Sequence, residues 1–302
     1  MKHYDLFPEL ESPCALALGY FDGVHLGHRA VIGAAVDHAK KAGLEAAVFT
    51  FTLAEALSAS RGGDILSGEE RSRRIQSLGI QHYICPSTDS FYGKDAVWFV
   101  QEVLCRLKAR AVFCGEDFTF GSDRAGVERL RELCAPLGIE VYVVDKVMLE
   151  GEPVSSTRIR KALKTGRMEL ANRLLGEEYV IDFEVVHGKQ LGRTIGCPTI
   201  NQLYPPHLVS PLYGVYITSA QIDGRRYPAA TGFGTRPTVG GEHASAETYI
   251  EGFSGDLYGQ RIRTTFYRYL CPQVKFDSLD DLARLIHSAA RQAEQYFAGE
   301  TL

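Results

Sequence analysis

"LGYFDGVHLGH", residues 18–28, places three glycines, two histidines and an aspartate in one short connection. The run before it, "CALAL" at 14–18, is short and apolar, which is typical of a buried strand. After it, apolar residues recur at helical spacing and Gly43 marks a C-terminal stop. The stretch is therefore predicted to join a strand to a helix N-terminus, where free backbone N–H groups bind anions.

The composition describes a globular chain of 302 residues, a length that suggests about two domains. Hydrophobic residues make up 45% and the formal net charge is −4, so no global basic surface favours nucleic acid. No apolar run is long enough for a transmembrane helix, and the first residues lack a signal-peptide core. Seven cysteines without a CxxC pair favour a reducing compartment, and we expect a cytoplasmic protein with no nucleic-acid, membrane or obligate protein partner.

The two halves of the chain differ in pattern. From residue 14 to about 145, strand-like and helix-like segments alternate, which predicts a parallel sheet with helices on both faces. After about 178, strand-like segments are separated by Gly and Pro until a helical stretch at 278–297, which predicts an antiparallel barrel or sandwich with one terminal helix. We place the boundary near Gly176, giving domains 1–176 and 177–302.

His25 and His28 are candidate catalytic residues at the first site. Their spacing of three places both near the helix N-terminus. Imidazole N–H groups there could stabilise charge that develops on a phosphate, an effect of ~10²–10³ in rate per donor. The structural alternative is that one histidine caps the helix and the other is an ordinary surface residue. A metal site is a further alternative, but the sequence offers no obvious third ligand for it.

Three segments resemble one family when taken together. "GYFDGVHLGH" (19–28) is similar to the HxGH motif of adenylyltransferases, in the form found in bacterial bifunctional riboflavin kinase/FAD synthetases. "GEDFTFGSDRAG" (115–126) and "VSSTRIRKAL" (154–163) resemble further motifs of that family, in order. In the third, the hydroxyls of Ser155, Ser156 and Thr157 are expected at a helix cap, with Arg158 one residue further.

"VVHGKQLGRTIGCPTIN", residues 185–201, is a second candidate site. It is not a Walker P-loop, and it reads as a glycine-rich connection between strands. Thr199 and Asn201 are two apart on an extended segment and offer neutral oxygens on one side, which suit Mg²⁺. A strand start with Thr and Asn in a turn is the alternative. The stretch resembles the riboflavin kinase motif GxxxGxxxGxPTxN, and further motifs follow in family order to residue 259.

The resemblance covers nearly the whole chain and implies fold, activity and site residues. It implies an α/β chain: a Rossmann-like nucleotidyltransferase domain with a parallel sheet, then an antiparallel β-barrel riboflavin kinase domain with a terminal helix. The implied substrates are riboflavin, FMN and ATP, with ATP as co-substrate and Mg²⁺ as cofactor. Glu247 falls at the family's catalytic glutamate. Glu251 is the alternative candidate for that role. The implied nucleotide-binding residues are Gly19, Phe21, Asp22, Gly27, Asp117, Ser156, Thr157, Arg158, Gly188 and Gly192.

Three departures from the family pattern fall on flavin-side elements. Leu53, Ala54 and Glu55 stand where the family has Pro-His-Pro, Cys271 and Gln273 replace a charged pair, and Gly232 replaces Asn. We therefore expect a bifunctional enzyme that makes FMN and FAD. The alternatives are a riboflavin kinase with a weak or inactive adenylyltransferase half, and a non-catalytic nucleotide- or flavin-binding paralogue.

Overall fold

The computed structural model describes residues 1–188, 192, 196–238, 241–273 and 278–298. The chain forms two compact units, each made of two segments. The first unit contains Met1–Ser58 and Ser67–Ser156, and the second contains Ala59–Leu66 and Thr157–Leu302.

The first unit is built on a six-stranded sheet in which all neighbouring strands are parallel. The order in the sheet is β1-β4-β3-β2-β5-β6. The predicted strands of this half are confirmed, and β1 is an additional edge strand. The bounds are β1 Lys2–Tyr4, β2 Cys14–Leu18, β3 Glu45–Phe49, β4 His82–Ile84, β5 Ala109–Gly115 and β6 Glu140–Val144.

The strand order reverses at β2, since β3 lies on one side of it and β5 on the other. In open parallel sheets, ligands bind outside the carboxyl ends of the strands at such a point. Residues 19–25 leave the carboxyl end of β2, so this connection lies where the topology favours a site.

Helices pack on this sheet, and α1 follows its sequence pattern closely. The apolar positions at helical spacing are buried, and Gly43 ends the helix at a positive φ of 67°. These positions are Val31, Ile32, Ala35, Val36 and Ala39. The bounds are α1 Leu26–Ala42, α2 Glu55–Ser60, α3 Gly68–Ser77, α4 Ala96–Trp98, which continues as a π-helical segment Phe99–Leu104, and α5 Val127–Cys134. A small hairpin follows, β7 Met148–Leu149 and β8 Glu152–Pro153.

The second unit contains a closed barrel of six antiparallel strands, in the order β10-β13-β12-β11-β14-β9. Of the two architectures that the sequence left open, the barrel is confirmed. The bounds are β9 Tyr179–Val186, β10 Thr199–Leu203, β11 Gly214–Ile222, β12 Arg225–Thr238, β13 Gly241–Ile250 and β14 Arg261–Pro272. The predicted terminal helix is also confirmed. The helices are α6 Ser156–Lys164, whose first residue still belongs to the first unit, α7 Met168–Leu175 and α8 Leu279–Phe297.

Residues 59–66 belong to the second unit although they precede most of the first in sequence. Asp64 exchanges backbone hydrogen bonds with the segment around Leu208 (2.9 and 2.8 Å), and Arg160 donates to Gly63 O at 2.8 Å. Ile65 is fully buried. A Cβ on Gly63 would lie 2.5 Å from the backbone N of Val209, so only glycine allows this approach.

Inside the barrel, three buried threonines from adjacent strands form a hydroxyl chain. Thr231 Oγ1 lies 2.8 Å from Thr218 Oγ1 and 2.8 Å from Thr248 Oγ1. The chain spans β11, β12 and β13 and satisfies hydroxyls that have no access to water. It ties together the strands that carry part of the second site.

Thr231→Val is expected to lower the free energy of unfolding by ~1–3 kcal/mol, because it leaves two buried hydroxyls without their partner at nearly constant volume. Urea denaturation of the full chain measures this as a lower midpoint. Thr265→Val is the control, since Thr265 is half-buried on β14 and takes no part in the chain. An unchanged midpoint for Thr231→Val would mean that the hydroxyl chain contributes nothing to stability.

Candidate active sites

The connection after β2 has an unusual backbone. Phe21, Gly23 and Val24 have positive φ angles of 52°, 82° and 45°. A β-branched residue such as Val24 rarely adopts this conformation, and strained residues of this kind persist only where the surroundings hold them. Gly19 fits the same turn closely, because a Cβ there would lie 2.9 Å from the Phe21 ring.

Side chains from distant parts of the unit hold the carbonyl groups of this turn. Ser156 Oγ donates to Asp22 O at 3.2 Å, although the two residues are 134 positions apart. Arg29 Nε donates to Val24 O at 3.0 Å. Two of the predicted motifs, at 19–28 and at 154–163, therefore meet at Asp22, whose side chain is buried.

His25 is the N-cap of α1 rather than a residue of its first turn. Its Nδ1 accepts from the backbone N of His28 at 3.3 Å, so the ring proton lies on Nε2. The two imidazole rings stack with centroids 3.5 Å apart. Both histidines lie at the helix N-terminus, His25 as the cap and His28 in the first turn, and the structure brings their two rings together. Gly27 leaves room for this, as a Cβ there would lie 3.2 Å from the His25 ring.

The imidazole of His28 is held in its neutral form. Burial, then the neighbouring His25 and then the charge of Arg71 lower the pKa of His28 well below its ordinary value. Phe21 packs edge-on against the ring at 5.3 Å. His28 Nδ1 is buried and has no hydrogen-bond partner among the residues that the structure describes. A polar atom left unsatisfied in this way is uncommon in a folded protein, and it gives His28 a nitrogen that can hydrogen-bond a substrate.

Asp117 follows β5, which neighbours β2, so it lies at the same edge of the sheet as Gly19. Its carboxylate pairs with Lys146 at 2.7 Å, and both groups are exposed. Thr157 and Arg158 follow Ser156 in the first turn of α6. Ser156 was expected to cap that helix, but it is the first helical residue and its hydroxyl donates to Asp22 O instead.

In the barrel, the register of two strands brings the predicted kinase residues together. Asn201 on β10 is paired directly with Glu247 on β13, and Thr199 is paired with Tyr249. Directly opposite residues of an antiparallel pair have Cβ atoms about 4.5–5.5 Å apart on the same face. Glu247 and Tyr249 are half-buried while Ala246, Thr248 and Ile250 point into the barrel. Glu247 therefore lies on the outward face beside the two proposed magnesium ligands.

The glycines of the connection before β10 allow the backbone to approach Asn201 and Cys197 closely. A Cβ on Gly188 would lie 2.6–2.7 Å from the side-chain amide of Asn201. A Cβ on Gly192 would lie 2.2 Å from Cys197 O, and Gly192 O accepts from Cys197 N at 2.8 Å. The glycine spacing thus has a steric reason at both positions.

A cavity of about 250 Å³ lies next to Thr199. Its walls include Pro198, Ile250 and the loop at 253–258. Glu251, the alternative candidate for the catalytic glutamate, lies just beyond the end of β13. Its side chain bonds to Tyr249, and it adds to the larger effect of burial in raising the pKa of that phenol. Thr248 and Ile250 in its lining point into the barrel, so the cavity lies on the other face of the β10–β13 pair from Asn201 and Glu247. The Asn201–Glu247 pair, with Thr199 beside it, defines the second candidate site.

Mg²⁺ is a hard cation that takes few protein ligands and completes its shell with water and phosphate oxygens. The neutral side-chain oxygens of Thr199 and Asn201 fit that requirement. The described residues contain no cluster of three or more His, Cys, Asp or Glu that could hold a metal by itself. The donor set therefore fits a metal that arrives with a nucleotide rather than one held in an all-protein cage.

Two contacts near the sites were not predicted. Arg71 on α3 reaches the ends of β2, β3 and β4, whereas a charged helical stretch predicts a solvated face. Cys197 Sγ lies 3.2 Å from His287 Nε2, which anchors the start of β10 to α8. Only the Glu70–Arg74 spacing of four hinted at pairing in α3, and no sequence signal links residues 197 and 287.

The fold and the two sites define a transferase with a nucleotide-binding α/β unit and a barrel unit. The FAD synthetase family model matches residues 7–158, and the riboflavin kinase family model matches residues 175–297. Within the residues that the structure describes, no helix is both long and apolar enough to span a membrane.

Several proteins are similar over nearly the whole chain. The bifunctional riboflavin kinase/FMN adenylyltransferase of Bacillus subtilis is 32% identical over 305 residues, covering 98% of this chain and 96% of the relative. That of Pseudomonas fluorescens is 33% identical, covering 94% and 93%. A crystal structure titled as a macrolide-efflux protein from Streptococcus pneumoniae matches with a TM-score of 0.87 at 30% identity, covering 97% and 98%.

The chain belongs to the family of bifunctional riboflavin kinase/FMN adenylyltransferases. It is an enzyme of flavin cofactor biosynthesis, which phosphorylates riboflavin to FMN and adenylylates FMN to FAD, with ATP as co-substrate in both steps.

Gly188→Ala is expected to raise the Mg²⁺ concentration needed for half-maximal FMN formation several-fold, because the new methyl group displaces the Asn201 amide. Titration of riboflavin phosphorylation with Mg²⁺ measures the shift. Asn201→Ala and Thr199→Ala should move it in the same direction, while FAD formation from supplied FMN is the internal control. If none of the three variants changes the Mg²⁺ dependence, these residues are structural only.

Proposed function

We propose that Glu247, Thr199, Asn201, Gly188 and Gly192 carry riboflavin phosphorylation, and that the turn containing His25 and His28 carries FMN adenylylation. The direct pairing of Asn201 with Glu247 is the observation that best supports the first assignment. The proposed domain bounds are 1–176 for adenylylation and 177–302 for phosphorylation, as expected from the sequence, whereas the compact units divide the chain after Ser156 and place residues 59–66 with the second. A cytoplasmic location without nucleic-acid, membrane or obligate protein partners is part of the proposal.

In the kinase step, the terminal ribityl hydroxyl attacks the γ-phosphorus of ATP. The new O–P bond forms as the bond from that phosphorus to the β,γ-bridging oxygen breaks, and Glu247 accepts the hydroxyl proton. General-base help of this kind contributes ~10²–10⁴ in rate. Thr199 and Asn201 would hold Mg²⁺, which when bound supplies charge neutralisation at the phosphates.

In the adenylyl step, a phosphate oxygen of FMN attacks the α-phosphorus of ATP and pyrophosphate leaves. Negative charge grows on the transferred phosphate in the transition state. His25 caps α1 through Nδ1, so we expect its Nε2–H and the backbone N–H groups at the start of α1 to donate to those oxygens. Gly19, Phe21, Asp22 and Gly27 shape the turn that places them.

The two activities should separate by single substitutions. Glu247→Gln is expected to lower FMN formation at least 100-fold and to spare FAD formation from supplied FMN, because an amide accepts no proton. His28→Ala should do the reverse. Chromatographic separation of riboflavin, FMN and FAD over time measures both steps in each variant.

Glu251→Gln is the matched control for Glu247→Gln and should keep kinase activity near that of the parent protein. Kinase activity within about threefold of the parent in Glu247→Gln, where a general base is worth ~10²–10⁴, would remove Glu247 from its role. A joint loss of both activities and of heat stability in His28→Ala would make His28 structural.

A weak adenylyltransferase half is a second candidate, supported by the segment after β3. Ala54 and Glu55 are exposed, and Glu55 is the first residue of α2, so a helix begins where the family has Pro-His-Pro. The segment lacks the rigid prolines and the imidazole, and it adds a carboxylate. Repulsion between two like charges 4 Å apart is ~1 kcal/mol in water and ~4 kcal/mol at an effective dielectric of 20.

We therefore expect FMN to accumulate, since FAD formation should be slower than FMN formation. The combined variant Leu53→Pro, Ala54→His and Glu55→Pro should raise FAD output, and the first position of a helix tolerates proline. Time courses from riboflavin and ATP measure both products. Equal rates of the two steps in the parent protein would show that this segment does not limit adenylylation.

A further inference from the structure

Arg71 lies on α3 with only 5% of its surface exposed. Its Nη1 donates to Tyr20 O at 3.3 Å, and its Nη2 donates to Phe51 O at 3.1 Å and contacts Cys85 Sγ at 3.5 Å. Tyr20 follows β2, Phe51 follows β3 and Cys85 follows β4. One guanidinium therefore fastens together the carboxyl ends of three adjacent strands.

Tyr20 is the residue immediately before the strained turn. Its carbonyl also accepts from Thr50 Oγ1 at 2.7 Å, so two donors fix its direction. The Tyr20 ring packs against Phe51 at 4.9 Å and lies 5.3 Å from the Arg71 guanidinium carbon. The position of Phe21, and through it the ring of His28, thus depends on Arg71.

The charge of Arg71 is not balanced locally. In the described part of the chain, its partners are two carbonyls, the Cys85 thiol and the phenols of Tyr20 and Tyr83, all of them neutral in their ordinary state. Its helix neighbours differ, since Arg73 and Arg74 both pair with Glu70, at 2.8 and 2.7 Å. A buried guanidinium stays charged and normally has an anionic partner.

We propose that Arg71 is a positioning residue for adenylyl transfer that also supplies a fixed positive charge beneath the site, complementary to the phosphates of ATP. This inference rests on the proposed role of the turn at residues 19–28. Arg71 acts through the Tyr20 carbonyl on the turn, and through its charge on His28 and on the anionic substrate. Both of its Nη atoms already bind protein groups, and its Nε is buried with no hydrogen-bond partner among the described residues, so we expect it to act through the turn and through its charge rather than by touching substrate.

The effect on His28 gives the inference a signature that a purely structural residue lacks. The groups facing His28 are His25, Phe21 and Arg71, and those facing Arg71 are Tyr20, Tyr83 and Cys85. Since Arg71 is one of the causes that lower the pKa of His28, removing its charge should raise that pKa. The acid limb of the adenylylation pH profile should then move to higher pH.

The test compares three full-length variants, assayed for FAD formation from FMN across pH. Arg71→Met removes fork and charge and should lower FAD formation at least tenfold, with the acid limb moved to higher pH. Arg71→Lys keeps the charge, so the acid limb of its pH profile should return toward the parental position. Its rate of FAD formation should stay below that of the parent protein, because lysine cannot make the same set of hydrogen bonds. Arg73→Met, an exposed arginine on the same helix, should remain within twofold of the parent.

Riboflavin phosphorylation by the same samples reports whether each variant is folded, and it should be unchanged. If Arg71→Met does not fold, Arg71→Lys alone tests the positioning role through its rate. If Arg71→Met keeps the parental rate of FAD formation and the parental pH profile, the inference is wrong. It is also wrong if the rate falls while the acid limb of the pH profile stays in place and Arg71→Lys restores nothing. If His28→Ala keeps full FAD formation while the Arg71 variants lose it, the proposed role of His28 fails and that of Arg71 remains.

Discussion

The first active site depends on how the chain leaves β2. Carbonyls 20, 22 and 24 of that connection are each held by a side chain from a different helix: Arg71 on α3, Ser156 on α6 and Arg29 on α1. These bonds stabilise positive φ angles that Phe21 and Val24 would not adopt by themselves. Next along the chain, His25 caps α1, and its imidazole ring stacks on that of His28. Binding geometry at this edge is therefore a property of the whole unit and not of the loop alone.

The second site depends on strand register instead of on a strained turn. β10 and β13 pair so that Asn201 and Glu247 share one face, and shifting either strand by one residue would place them on opposite faces. The threonine chain in the barrel interior and the Cys197–His287 contact both oppose such a shift. One chain thus uses two different physical means, backbone strain and sheet register, to position polar groups for chemistry on ATP.

Local patterns predicted the elements, while long-range partners could not be predicted. The apolar run at 14–18, the spacing in α1 and the glycine at 43 each have a local cause, and the corresponding elements are present. The roles of Ser156 and His25 were only partly foreseen, since their hydrogen-bond partners depend on tertiary structure. Arg71 was missed because burial of a charged helical residue has no local signal. Residue roles inferred by resemblance remain predictions even where the structure brings the residues together.

Residues 59–66 complete the second unit from within the sequence of the first. Ile65 is fully buried there and Asp64 bonds to the backbone around Leu208, while the chain on either side returns to the parallel sheet. The covalent order of the polypeptide is therefore not the order of its folded parts. A gene split between the two activities would leave the barrel half without this segment. Such a half would expose Val209, Leu208 and their backbone groups to water. The interleaved path thus acts as a constraint on how this gene can be divided during evolution.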